Sequence, residues 1–233
     1  MAAENPVLPL KALEDFITTE FKRKAKNYIS RHPREENTIE WLALMRHHGA
    51  PTRLLDWSHS PFVATFFAAA DARGPGAIAV WCLDLDALTR RAQYLLGAPG
   101  AAANLQYFEL GYEQNISQRD RPAVVISSEP YDLNEHIVVQ QGLFLVSNQT
   151  EYAFERALTF ERALTFMLYP YRQRLSESLE QVVAVKLVIP SGLRHEILYA
   201  LERMNVGWAS LLPGLDGFAR SLETLCQILG RGQ

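Results

Sequence analysis

The chain has 233 residues and a mass of 26.3 kDa, and is 48% hydrophobic and 21% charged, which excludes a disordered chain or a coiled coil and fits one domain of generous size. A net charge of -3 and a pI near 6.1 give no overall basic field for duplex DNA or an anionic membrane. Two cysteines, Cys82 and Cys226, are too few for a disulfide scaffold or a cysteine zinc site. Both lie in apolar runs, which predicts reduced, buried thiols. The N-terminal residues lack the basic-then-apolar order of a signal peptide, and no apolar run approaches the ~20 residues that span a bilayer. The sequence therefore reads as soluble and cytoplasmic, with no membrane partner.

Leu10, Leu13, Phe16, Ile17, Phe21, Ala25, Tyr28 and Ile29 recur at helical spacing and predict a first helix that His32-Pro33 ends. A second helix starts with Asn37 as cap and Glu40 three residues on, carries Ile39, Leu42 and Met45 as its buried stripe, and closes at Gly49 and Pro51. Arg53-Leu54-Leu55 follows as a short strand. Ser60-Pro61 then opens a helix through Phe62, Phe66, Phe67 and Ala70. Residues 77–83 form a strand, 86–96 a short helix and 97–103 a loop rich in glycine and alanine. Further strands are expected over 123–126, 143–146 and 181–189, the last followed by a helix with Ile197, Leu198 and Leu201 on one face. An amphipathic helix over 215–229 ends the chain. A six-residue repeat, Phe154-Glu-Arg-Ala-Leu-Thr and then Phe160-Glu-Arg-Ala-Leu-Thr, is made of good helix formers and is expected to extend a helix.

Strands and helices mix without strict alternation. That predicts an α+β fold, with a modest mixed or antiparallel sheet flanked by several helices. No charge-rich or serine-rich run marks a linker, so residues 1–233 are taken as one domain.

Polar chemistry is densest between Met45 and Ala68. A helix ends in His47 and His48, the chain turns at Gly49, and a strand carries Thr52 and Arg53. Asp56-Trp57-Ser58 then meets a helix N-terminus at Ser60, whose free N–H groups suit a phosphate or another anion. The segment 52–56 is expected to be a buried strand that delivers Asp56 beside that N-terminus, with a donor from His48, Arg53 or a backbone N–H of 58–60. Adjacent histidines on a helix diverge by about 100°, so His47 and His48 do not chelate one ion and no metal is expected. The same residues also have plain structural readings. Arg53 with Asp56 makes an ion pair, Trp57 fills a core or cleft wall, and Thr52 and Ser58 cap local turns.

The run His47-His48-Gly49-Ala50-Pro51-Thr52-Arg53-Leu54-Leu55-Asp56-Trp57-Ser58, with the Pro61 helix after it, closely resembles the signature of the FRG domain family. The core of the motif covers about 37–70. Gln140-Gln141-Gly142-Leu143-Phe144, the strand over 181–189 and Leu212-Pro213-Gly214-Leu215-Asp216-Gly217 resemble later elements of the family in the same order. The Phe/Tyr-Arg-Gly tripeptide that names the family does not precede the first helix, so this chain reads as lacking that strand.

The order of elements is similar to that of ADP-ribosyltransferases, which hold NAD with an arginine or histidine, a Ser-Thr-Ser strand and a late glutamate. By that resemblance Asp56-Trp57-Ser58 takes the middle place and Gln140 or Gln141 the late one, although a glutamine lacks the charge of the glutamate. The resemblance implies a cleft for a nucleotide-like ligand such as NAD, taken as a substrate rather than a resident cofactor. His48, Asp56 and Gln141 are then the catalytic candidates. His47, Thr52, Arg53, Trp57, Ser58, Gln140 and Phe144 are the ligand-binding ones, with Arg53 on phosphate and Ser58 on ribose. The chemistry implied is ADP-ribosyl transfer or NAD glycohydrolysis. The alternative is a non-catalytic interaction or regulatory module in which the motif serves the fold.

Overall fold

A computed structural model describes residues 9–72, 76–96, 125–130, 135–147, 164–166 and 184–229. The helices are α1 (Leu10–Ala25), α2 (Thr38–His47), α3 (Pro61–Ala70), α4 (Leu85–Leu96), α5 (Glu135–Val139), α6 (Arg194–Arg203), α7 (Trp208–Leu211) and α8 (Leu215–Leu229). The strands are β1 (Leu55–Ser58), β2 (Ala77–Leu83), β3 (Val125–Ser128), β4 (Gly142–Ser147), β5 (Leu164–Phe166) and β6 (Ala184–Pro190). The fold is α+β. Its described strands form two three-stranded sheets, in the orders β1-β4-β3 and β2-β6-β5, where the sequence suggested one modest sheet. The chain falls into two compact units, one of Met1–Leu55, Thr89–Asp132 and Leu145–Ala157, the other of Asp56–Leu88, Leu133–Phe144 and Leu158–Gln233.

In the first unit α2 forms as its residues dictate. The Asn37 carboxamide oxygen accepts from the Glu40 N–H at 3.2 Å, and Ile39, Leu42 and Met45 are buried. Trp41 is fully buried beside them and satisfies its indole N–H on the Arg34 carbonyl at 3.0 Å. Phe21 of α1 meets the Trp41 ring edge-on at 6.5 Å, and the Lys22 ammonium sits 5.6 Å from the same ring. The rest of α1 departs from its hydrophobic pattern: Leu10, Leu13 and Phe16 are exposed, and Tyr28 beyond its end is too. The half-buried face is the one carrying Lys11, Glu14, Thr18 and Phe21, because a charge on it has a tertiary partner described below.

In the second unit α3 begins as expected, with Pro61 in its first turn and the Ser60 hydroxyl accepting from the Val63 N–H at 3.4 Å. Val63, Phe66 and Ala69 of α3 pack with Ile78, Leu198, Leu201 and Leu211 in one core. Trp208 lies edge-on to Phe66 at 5.3 Å and to Phe67 at 5.6 Å. Arg194 donates to the carbonyls of Ala69 at 2.7 Å and Ala70 at 3.3 Å, satisfying orphan acceptors at the C-terminus of α3. β2 runs antiparallel to β6 from Ala77↔Pro190 to Leu83↔Ala184, while β5 lies parallel to β6.

Two further expectations need correction. Leu164-Thr165-Phe166, the end of the six-residue repeat, is strand β5 rather than helix, because pairing with β6 overrides helix propensity; residues 154–163 lie outside the described residues. Cys82 and Cys226 are free but exposed. Cys82 shares a face of β2 with buried Ile78 and Val80, but it stands near the strand's end, where cover gives out. No helix of the described residues is long and apolar enough to cross a membrane.

Candidate functional site

The first part of the motif lies in the first unit. His47 and His48 are exposed at the end of α2, with their rings edge-to-face at 4.8 Å. The His48 N–H donates to the Leu44 carbonyl at 3.2 Å. Gly49 follows at φ +76, a left-handed conformation that costs glycine least. Beyond Pro51 the Thr52 hydroxyl accepts from the Leu54 N–H at 3.3 Å, a local turn that keeps 52–54 out of a ladder. The strand therefore starts at Leu55, not at Thr52 or Arg53 as the sequence suggested.

Arg53 is held by a residue that the motif does not contain. Its Nε donates to both carboxylate oxygens of Glu14, at 2.7 and 3.0 Å, and its Nη2 also reaches Glu14 Oε2. Its Nη1 donates to the Ser147 carbonyl at 3.2 Å. The two side chains are only 7% and 12% exposed, so this is a forked ion pair taken largely out of water. The pair lines a cleft of about 290 Å³, with Lys11, Thr18, Lys22 and Thr38 among the other walls. The Thr18 hydroxyl oxygen is buried with no hydrogen-bond partner among the described residues. Of the residues singled out in the motif, Arg53 alone lines this cleft. Further along α1 the Glu20 carboxylate is held down to about 2, first by its hydrogen bond to Arg23 and then by the one to Lys24. The Lys26 hydrogen bond likewise lowers Glu35.

The second part of the motif lies in the second unit. Asp56 is exposed, not buried as expected; Trp57 is half-buried. Ser58 donates to the Gln140 carbonyl at 2.7 Å and accepts from the Ser60 N–H at 3.0 Å. The next residue continues the join, with the His59 N–H on the Gln141 carbonyl at 2.9 Å. The Gln140 amide donates to the Leu211 carbonyl at 2.8 Å. Gln141 stands at φ 48, a left-handed conformation uncommon for a residue with a Cβ, at the turn between α5 and β4. A Cβ on Gly142 would meet the Ile137 side chain at 3.2 Å, so a larger residue is resisted there. Phe144 is buried in β4.

The structure thus ties Ser58 to the 140–141 turn. It places His47, His48, Thr52 and Arg53 in one unit and Asp56, Trp57, Ser58, Gln140, Gln141 and Phe144 in the other. Sequence reasoning missed Glu14. Its signal was the spacing of Glu14, Thr18, Phe21 and Ala25, a helical face with an acid where the pattern allows an apolar residue. Among the described residues no group of three or more His, Cys, Asp or Glu is placed to hold a metal ion.

These elements define an α+β protein whose motif is fastened by side-chain bonds to backbone carbonyls. Residues 2–75 match the model of the FRG domain, a range that contains the whole run from His47 to Ser60. The matched range ends before Gln140–Phe144, 181–189 and 212–217. Neither a curated protein nor a solved structure matches the chain.

Proposed function

We propose that the chain is a non-catalytic interaction or regulatory module in which the FRG motif secures the fold. One observation carries this reading: the two side chains assigned to phosphate and ribose are already bonded. Arg53 is forked onto Glu14 and Ser58 is closed onto the Gln140 carbonyl. A phosphate ligand for Arg53 would have to displace a buried carboxylate, and a ribose contact from Ser58 would break a 2.7 Å bond. The test is thermal. Ser58→Ala should lower the melting temperature by several degrees, while NAD, ADP-ribose and ATP leave the wild type unshifted. A nucleotide that raises the melting temperature of the wild type would overturn this reading.

A second reading has an observation of its own. The cleft beside Arg53 carries the ammonium groups of Lys22 and of Lys11, the latter paired with Asp15, and the Thr18 hydroxyl, unpartnered among the described residues, a set that offers cations to an anionic, nucleotide-like ligand such as NAD. In this reading NAD is the substrate of ADP-ribosyl transfer or glycohydrolysis. The other candidate site residues do not line this cleft, so the reading rests on Arg53 with Lys11, Lys22 and Thr18. Calorimetry with NAD on the wild type and on Lys22→Ala decides it. Heat that the lysine variant loses supports the cleft, and no heat from the wild type removes it.

A further inference from the structure

α8 packs through its small residues and Ile228, and leaves four large ones outside. A Cβ at Gly217 would sit 1.8 Å from the Leu212 carbonyl oxygen and 2.7 Å from that of Trp208, so only glycine allows this approach. Ser221 and Thr224 continue the same face, half-buried and buried. Leu215, Phe218, Leu222 and Leu225 are instead 79%, 53%, 47% and 44% exposed. The contact at Gly217 fixes the rotation of the helix. Turning the leucines inward would drive a side chain into the Leu212 carbonyl.

We propose that this stripe is a self-association seam, in which α8 of two copies pairs antiparallel about a two-fold axis. The four residues follow one another at intervals of three, four and three, the alternation of a coiled-coil seam. That order reads the same from either end. A two-fold axis therefore sets Leu215 against Leu225 of the second copy and Phe218 against Leu222, apolar on apolar at every contact. An isologous interface requires this self-complementarity. Charge agrees with it. The seam-flanking residues Ala219, Ser221 and Cys226 are uncharged, while Asp216, Arg220 and Glu223 fall at heptad positions away from the seam. Arg220 is drawn off further, its guanidinium 4.9 Å from the Trp208 ring.

The exposed stripe presents on the order of 400 Å² of apolar surface, in the range where a patch on a soluble protein marks an interaction site. That is about half of the ~800 Å² per partner in a standard interface, so the dimer is weak, with Kd in the range of roughly 10 μM to 1 mM.

Sedimentation of the full chain over a concentration series reads the association. The wild type should shift from monomer to dimer as concentration rises. Leu222→Glu and Phe218→Lys, each at an exposed position, should stay monomeric with unchanged melting temperatures. The double variant Phe218→Lys/Leu222→Glu should dimerise again, because the two-fold axis sets lysine against glutamate. A wild type that stays monomeric up to about 1 mM overturns the proposal. So does a dimer that Leu222→Glu leaves intact, or a double variant that fails to recover. Binding of a monomer to anionic phosphatidylserine vesicles, lost in Leu222→Glu, would assign the stripe to a lipid surface and overturn it too. No residue of the 47–60 motif is involved, so a monomeric result leaves the reading of the motif untouched.

Discussion

Glu14 and Arg53 stand 39 positions apart in the chain and meet in a forked ion pair that joins α1 to the segment leading into β1. With both side chains nearly out of water, removing one strands the other. Arg53→Ala should cost about 3–5 kcal/mol in urea unfolding, and Glu14→Ala about as much. Arg53→Lys should recover little of it, because an ammonium cannot reproduce the planar fork. The double variant Glu14→Leu/Arg53→Met should be far milder than the sum of its parts. A loss below about 1 kcal/mol for Arg53→Ala would show a pair solvated enough to be incidental.

Ser58 joins the motif to the turn after α5 from one oxygen, donating to Gln140 and accepting from Ser60. Ser58→Ala leaves a carbonyl and an N–H to find water, and is expected to cost about 1–3 kcal/mol. Hydrogen exchange should quicken at the Ser60 amide. Protection unchanged there would mean that the hydroxyl contributes nothing.

Gly217 faces a backbone carbonyl that cannot yield. Gly217→Ala should therefore destabilise by at least about 1–3 kcal/mol despite the better helix propensity of alanine. The loss should appear as altered chemical shifts at Leu212 and Trp208. A gain in stability would mean that α8 sits further from α7 than described.

Glu20 supplies a pH dependence with a definite sign. Its folded pKa is depressed to about 2 from 4.5, chiefly by the Arg23 hydrogen bond. The stabilisation it gives is full above pH 4.5 and lost as pH falls from there through about 2. Carboxyl NMR should place its midpoint near the bottom of that window, and Arg23→Ala should move it upward. The pair is exposed, so salt should weaken the effect.

What the sequence made legible was local. Asn37 and Ser60 announce their helices because a cap acts within three residues, and the structure finds both bonds. Ile39, Leu42 and Met45 announce a buried stripe for the same reason. Arg53 stood out in the motif, but its partner did not, because an ion pair across 39 positions leaves no local trace. Asp56 was expected in a buried strand because Leu54 and Leu55 read as one. The Thr52 hydroxyl on the Leu54 N–H delays the strand to Leu55, and Asp56 is exposed. α8 had the right boundaries in the sequence, but its amphipathic pattern could not say which face packs. The approach at Gly217 decides that, and it brings in the side where hydrophobicity is least.

β5 carries one consequence of its own. Its three residues, Leu164-Thr165-Phe166, recur without change as Leu158-Thr159-Phe160 one repeat earlier. A displacement of six is even, so either copy would present the same side chains to the same faces of β6. Their identities hold no information that separates the two alignments. The pairing is degenerate at the level of the tripeptide, and the length of chain on either side must break the tie.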